Sequence, residues 1–172
     1  MPAAGRPAGG TRVAIALGSN LGDRAAHLQW ALLQLRAVIR GLEASPFEET
    51  APVEVSDVQP DYLNAVAVGR TSLAPEALLD VLLGLETARG RVRPGPRAAR
   101  TLDLDLVLYG DRVIDTPRLR VPHPRFADRP FVLGPLARLA PRWRDPRSGL
   151  SLAALWRRQR PAGVPQGRPS KP

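Results

Sequence analysis

Arg100-Thr101-Leu102-Asp103-Leu104-Asp105-Leu106-Val107-Leu108-Tyr109 reads as one β-strand with its chemistry on one face. Leu104, Leu106 and Leu108 share one parity; Thr101, Asp103, Asp105 and Val107 share the other. Successive side chains point to opposite faces, so the two carboxylates stand side by side, about 7 Å apart at Cα. A rigid strand presenting two hard oxygen ligands suits Mg²⁺, which keeps several waters and completes its shell with substrate phosphates. Ten Arg lie between Arg89 and Arg129, around this strand. Carboxylates that hold metal, set among cations that hold phosphate, are the parts a phosphoryl-transfer site needs. The plain alternative is the wet face of an amphipathic strand. Asp is depleted in strands, and two of them at i, i+2 weigh against that alternative.

Working back from this strand, 91–99 carries three Arg, two Pro and a Gly and reads as a basic loop. Before it, Pro75 opens a helix at a position where a missing N–H costs nothing. Leu78, Leu82 and Leu85 give that helix a core stripe, and Gly90 caps it. Residues 62–71 alternate as a strand; 50–60 form a polar, Pro-bearing loop of a length that is often functional. Residues 42–49 read as a strand bent or placed at an edge by Pro46. A helix over 24–39 buries Leu28, Leu32, Leu35 and Ile39 and ends at Gly41. The first strand, 12–17, runs into the turn Gly18-Ser19-Asn20-Leu21-Gly22-Asp23. No glycine-rich dinucleotide or P-loop signature follows it.

Working forward, Gly110-Asp111 after Tyr109 signals a hairpin, with 112–114 and 118–121 as short extended pieces. Pro122-His123-Pro124-Arg125-Phe126 is a turn, 131–139 a short apolar helix able to cover the sheet, and 151–158 a last helical turn. The order is βαββαβ. This predicts an α+β fold of ferredoxin-like plan: a four-stranded antiparallel sheet, two helices on one face and the other face free, plus a C-terminal hairpin and helix. Residues 11–159 form one domain on this reading. Residues 1–10, which lack an apolar signal core, are a disordered extension, and 160–172 a disordered basic tail.

The chain has 172 residues, a formal net charge of +9 and no cysteine. Disulfides, a thiol nucleophile and a Cys zinc site are therefore excluded. No apolar run reaches the roughly 18 residues of a membrane span, and a cytoplasmic protein is expected. The charge is uneven: 138–172 hold nine Lys and Arg against one acid. A basic tail can touch nucleic acid, but a compact stripe with interleaved aromatics is missing.

Several segments, in order, are more specific than any one of them. They are Gly18-Ser19-Asn20-Leu21-Gly22, Tyr62-Leu63-Asn64-Ala65, Glu86 with Gly90-Arg91-Val92-Arg93, Arg100 to Leu106, Val121-Pro122-His123-Pro124-Arg125, and Arg129 with Phe131-Val132-Leu133. Together they closely resemble the 6-hydroxymethyl-7,8-dihydropterin pyrophosphokinases of folate biosynthesis, over about residues 12–142.

The resemblance implies transfer of the β,γ-diphosphate of ATP, the co-substrate, to the hydroxymethyl group of the dihydropterin, giving AMP and the pterin diphosphate. It implies two Mg²⁺ ions held by Asp103 and Asp105. It makes Arg91, Arg100, His123 and Arg129 phosphate-handling cations, with Arg91, Arg100 and His123 catalytic beside the two Asp, and Glu86 a support of the nucleotide. It puts Thr50, Pro52, Val53, Tyr62, Asn64 and Phe131 around the pterin, Phe131 stacking and Asn64 pairing with an N–C–N edge. Arg112, Arg118 and Arg120 read as surface charge, on the side where adenine and ribose would lie. A monomer acting on small molecules, without nucleic acid or membrane, is expected. Two departures stand out. Pro96-Arg97-Ala98-Ala99-Arg100 replaces the usual Arg-Trp-Gly-Pro-Arg, leaving Arg97 to stack where the Trp would. Leu83 replaces a usual Gln three positions before Glu86.

Two other classes fit parts of the pattern. A nucleotidyltransferase of the polymerase-β type shows a Gly-Ser turn and D-x-D, but close together, whereas Ser19 and Asp103 are far apart. A ferredoxin-like RNA-binding module would expose aromatics on its central strands; only Tyr62 and Tyr109 are offered.

Overall fold

The computed structural model describes residues 9–52, 58–90 and 101–159. Val53, Arg91, Arg97, Arg100, residues 1–8 of the N-terminal segment expected to be disordered and the whole expected tail, 160–172, lie outside these residues; Gly10, also expected to be disordered, is buried, and its carbonyl accepts an Arg70 N–H at 3.2 Å. The elements run β1 (Thr11–Ser19), α1 (Arg24–Leu35), β2 (Arg40–Ala44), β3 (Glu48–Thr50), β4 (Tyr62–Thr71), α2 (Pro75–Ala88), β5 (Asp103–Tyr109), β6 (Ile114–Asp115), β7 (Arg120–Val121), a 3-10 turn (Phe126–Asp128), α3 (Pro130–Leu139) and α4 (Leu152–Gln159). The main sheet has the order β2-β4-β1-β5, with β3 pairing the N-terminal end of β4; the pairings are antiparallel. β6 and β7 form a separate small hairpin. Among the described residues no helix is long and apolar enough to cross a membrane.

Strand β1 explains the layering. Its residues alternate large and small: Val13, Ala14, Ile15, Ala16, Leu17, Gly18. The large set faces α1 and α2 and packs with Leu28, Leu35, Leu78, Leu82, Leu104 and Leu106 in one core. Of the expected stripes, Leu28, Leu35, Leu78 and Leu82 are fully buried, each contributing about 1.5–3 kcal/mol, while Leu32 and Leu85 are partly buried at the margin of this core. The small set faces the other side, where Ala14, Val66, Val68 and Val107 meet Val132, Leu133, Leu136 and Leu152. That face is therefore not free. Helices α3 and α4 cover one end of it, because the apolar rows of β4 and β5 continue on both sides and need burial.

Local rules shift several expected boundaries. Pro46 splits the expected second strand into β2 and β3, since it cannot donate to a ladder. Ser45 bridges the break: its N–H donates to the Val66 carbonyl and its hydroxyl accepts the Val66 N–H, both at 2.8 Å. Helix α1 stops at Leu35, and Ile39 is held by its N–H to the Leu35 carbonyl at 2.8 Å. Gly41, with φ of 62°, marks a register shift inside β2 and not the helix end. In such a bulge one residue takes the left-handed conformation that glycine adopts without strain. Strand β5 begins at Asp103. Its pairing with β1 steps from Leu106 opposite Ile15 to Leu108 opposite Ala14, so Val107 is an extra residue. The bulge breaks the parity expected from sequence: Leu104 and Leu106 face α1 and α2, but Leu108 turns to the second core.

Candidate active site

Because β1 runs antiparallel to both neighbours, its C-terminal half meets the first residues of β4 and β5. Gly18 lies opposite Asn64 on one side and Asp103 on the other; Ala16 lies opposite Val66 and Asp105. Small residues at 16 and 18 leave a hollow between these flanking side chains. A Cβ at Gly18 would stand 3.3 Å from Asn64 Oδ1 and 3.4 Å from the Tyr62 ring. Helix α3 bounds the hollow from above with Arg129, Phe131 and Val132. The result is a cavity of about 210 Å³ lined by Ala16, Gly18, Thr50, Ala51, Tyr62, Asn64, Asp103, Asp105, Arg129 and Phe131 among others. That is below the roughly 300–1,000 Å³ of sites for drug-sized ligands, the scale of one small ring system and not of a whole nucleotide.

Most of the expected site residues thus converge from the ends of three strands, β3, β4 and β5, and the start of one helix, α3. Asp103 and Asp105 share the cavity face, as their spacing predicts. Among the described residues no third His, Cys, Asp or Glu joins them in a protein-only metal cage. Two carboxylates facing an open cavity fit an ion that keeps waters and takes substrate oxygens. Asn64 is buried, with Nδ2 donating to Thr50 Oγ1 at 2.6 Å across the β3–β4 pair. Arg129, the residue just before α3, holds its guanidinium 6.0 Å from the Phe131 ring centre, a cation–π distance. Ala51, and not Pro52, lines the cavity.

His123 reaches the site through the β5 bulge. The Val107 carbonyl accepts the His123 N–H at 2.9 Å, tying the turn after β7 to the extra residue. The ring lines a small cleft with Asp105, Arg129 and Val132, all of which also line the main cavity. It was expected to be a cation; here it is neutral. Burial first, then the Arg129 guanidinium and, less, Arg125 bring its pKa down to about 4 against the opposing pull of Asp103. Nδ1 accepts the Arg125 N–H at 3.1 Å, so the neutral ring carries its proton on Nε2.

Glu86 lies away from the cavity. It is 2% exposed, and its carboxylate accepts the Leu104 N–H at 2.8 Å. β5 is an edge strand, and Glu86 satisfies its outer edge between the two Asp residues. Arg118 and Arg120 are exposed and ion-paired with Asp80 and Asp115 respectively.

Sequence reasoning missed several supports. The large–small alternation of β1 was a readable signal for the hollow. His27 Nδ1 accepts Arg89 Nε–H at 3.0 Å, Arg89 stacks 4.9 Å from Trp30, and the Arg89 carbonyl accepts Thr101 Oγ1–H at 2.8 Å. These contacts tie α1 to the end of α2 and the approach to β5. They join residues remote in sequence and have no local signature.

Comparison with known proteins is specific. The family model described as 7,8-dihydro-6-hydroxymethylpterin-pyrophosphokinase matches residues 14–141. The chain is 43% identical over 145 residues to the 2-amino-4-hydroxy-6-hydroxymethyldihydropteridine pyrophosphokinase of Synechocystis sp., covering 82% of this chain and 72% of the relative. It is 44% identical over 137 residues to the Pseudomonas aeruginosa protein of the same name, covering 78% and 84%. Among solved structures it resembles wild-type Plasmodium falciparum HPPK-DHPS with a TM-score of 0.62 at 14% identity, covering 86% of this chain and 41% of that longer one. At that identity the likeness bears on the fold alone.

Proposed function

The chain belongs to the 7,8-dihydro-6-hydroxymethylpterin-pyrophosphokinase family, and from that premise we infer that it transfers the diphosphate of ATP to 6-hydroxymethyl-7,8-dihydropterin in folate biosynthesis. The products are AMP and the pterin diphosphate. The observation that carries this reading is one cavity holding two kinds of chemistry, the charged Asp103, Asp105 and Arg129 beside the amide and aromatic rings of Asn64, Tyr62 and Phe131. The sheet order β2-β4-β1-β5 supports a ferredoxin-like description, with β2 and β3 together as its second strand.

In this reading Phe131 stacks on the pterin. Asn64, already oriented by Thr50, pairs with the ring's hydrogen-bonding edge. Asp103 and Asp105 hold Mg²⁺, which when bound supplies charge for the triphosphate and for the attacking and leaving oxygens. Arg129 binds phosphate oxygen by charge. His123 does so as a neutral Nε2–H donor, placed without the cost of keeping a cation half-buried. Arg91 and Arg100, which lie outside the described residues, keep the phosphate-handling, catalytic roles that the resemblance implies. Glu86 acts through the strand that carries the two Asp.

The test is direct. Purified protein with ATP, Mg²⁺ and the dihydropterin is expected to form AMP only when the pterin is present. Pterin-independent AMP, or nucleotide added to an acceptor with release of pyrophosphate, would overturn the reading. The family match and the separation of Ser19 and Asp103 along the sequence disfavour a polymerase-β type transferase. The family match also favours the transferase over an RNA-binding module.

A further inference from the structure

Strand β3 is only three residues long, Glu48–Thr50, and among the described residues pairs with β4 alone. Yet Thr50 and its partner Tyr62 both line the cavity, and Thr50 Oγ1 holds the Asn64 amide. A ladder this short, at the edge of a sheet, frays unless something else fixes it. Arg24 supplies that restraint.

Arg24 is the first residue of α1, behind the Asp23 cap whose side chain accepts the Ala26 N–H at 3.1 Å. One guanidinium nitrogen donates to the Asp61 carbonyl at 2.7 Å; the other pairs with Glu49 Oε1 at 2.5 Å. Asp61 and Glu49 are the chain neighbours of Tyr62 and Thr50. A single planar fork thus spans the two strands next to the pair that forms the cavity wall. The pair lies at the surface, with the Arg24 side chain 28% and the Glu49 side chain 60% exposed, and the restraint comes from the fork's two simultaneous partners and not from burial. Asn20, fully buried in the turn after β1, adds a second tie, its Nδ2 donating to Gln59 Oε1 at 3.1 Å.

We propose that Arg24 is a positioning residue for the heterocycle: it fixes the β3–β4 edge, and through it Thr50, Tyr62 and Asn64, without touching substrate. This rests on the function proposed above. The geometry also specifies what the residue does not do. The carboxylates, Arg129 and His123 sit on β5 and around α3, on the far side of the hollow, so nucleotide binding is independent of the fork. A lysine could satisfy Glu49 or the Asp61 carbonyl, but its single ammonium lacks the two-pronged reach.

The experiment measures binding of the dihydropterin and of a non-hydrolysable ATP analogue to Arg24→Gln, Arg24→Lys and Glu49→Gln, with amide hydrogen exchange over 49–63 in the free proteins. Arg24→Gln is expected to weaken pterin binding about tenfold while the ATP analogue changes by less than about twofold. Exchange at Tyr62 and Leu63 rises while β1 stays protected. Arg24→Lys and Glu49→Gln fall between wild type and Arg24→Gln; should Arg24→Gln fail to fold, these two carry the test. Unchanged pterin affinity, or equal losses for both ligands, overturns the inference and leaves the proposed function standing. A wild-type protein that binds ATP but no pterin removes the proposed function, and the inference with it.

Discussion

The carboxylate of Glu86, buried on the inner side of α2, accepts the backbone N–H of Leu104, the residue between Asp103 and Asp105. A helix thereby holds the edge strand at the one point from which both cavity-facing carboxylates hang. Glu86→Ala would leave that N–H without its carboxylate partner in a dry setting, at a cost of about 1–3 kcal/mol. Glu86→Gln keeps an acceptor oxygen and is expected to lose less. Denaturant midpoints and turnover should fall together in the order Glu86→Ala, Glu86→Gln, wild type. Normal turnover in a destabilised Glu86→Ala would separate the strand anchor from the chemistry.

Asp105→Asn is expected to leave the thermal midpoint near that of wild type, because Asp105 faces the cavity and not the core. Its turnover should drop by roughly 100-fold or more, beyond what loss of a supporting contact costs a metal site. Steady-state rates with Mg²⁺ varied, beside a thermal melt, check both halves. A near-normal rate would remove the metal assignment.

Gly18→Ala adds one methyl group into the hollow, 3.3 Å from Asn64 Oδ1 and 3.4 Å from Tyr62. The backbone there is ordinary strand, so no dihedral strain arises, and neighbours need move only slightly. Pterin affinity is expected to fall about tenfold, or 1.4 kcal/mol, with nucleotide affinity retained. Titration with each ligand separately is the check; equal loss for both would place the pterin elsewhere.

His123 makes stability depend on pH in a defined direction. Its pKa falls from 6.5 to about 4 on folding, so between those values the unfolded chain binds more protons. The contribution is fully present above pH 6.5, declines as pH falls, and is gone below about 4. His123→Gln cannot titrate. Wild type is expected to lose more stability than this variant between pH 7.5 and 4.5, measured by denaturant unfolding. The variant also loses the Nε2–H donor, and its turnover at pH 7.5 is expected to fall about tenfold or more.

Much of the site was readable because strand period is rigid. Two Asp at i, i+2 must share a face, and Asn inside the apolar run of β4 must find partners. Helix stripes at Leu28, Leu35, Leu78 and Leu82 became the core beneath the sheet for the same reason. The Val107 bulge was not readable. Period-2 reasoning carries Leu108 to the wrong face, since a single extra residue reverses every position beyond it. The neutral state of His123 was equally hidden. A turn between two prolines says nothing of burial or of the guanidiniums that fold beside the ring.

Local chemistry in the sequence determined the elements, the paired carboxylates and the ordered motifs that match a family. Tertiary structure alone decided which strand ends meet and that α3 covers the second face. It also decided that Glu86 anchors a strand, and that Arg24 reaches across to Glu49 and Asp61. These are contacts between residues distant in the chain. Their energies depend on burial and geometry, which arise only when the antiparallel register of β1 brings β4 and β5 to either side of Gly18.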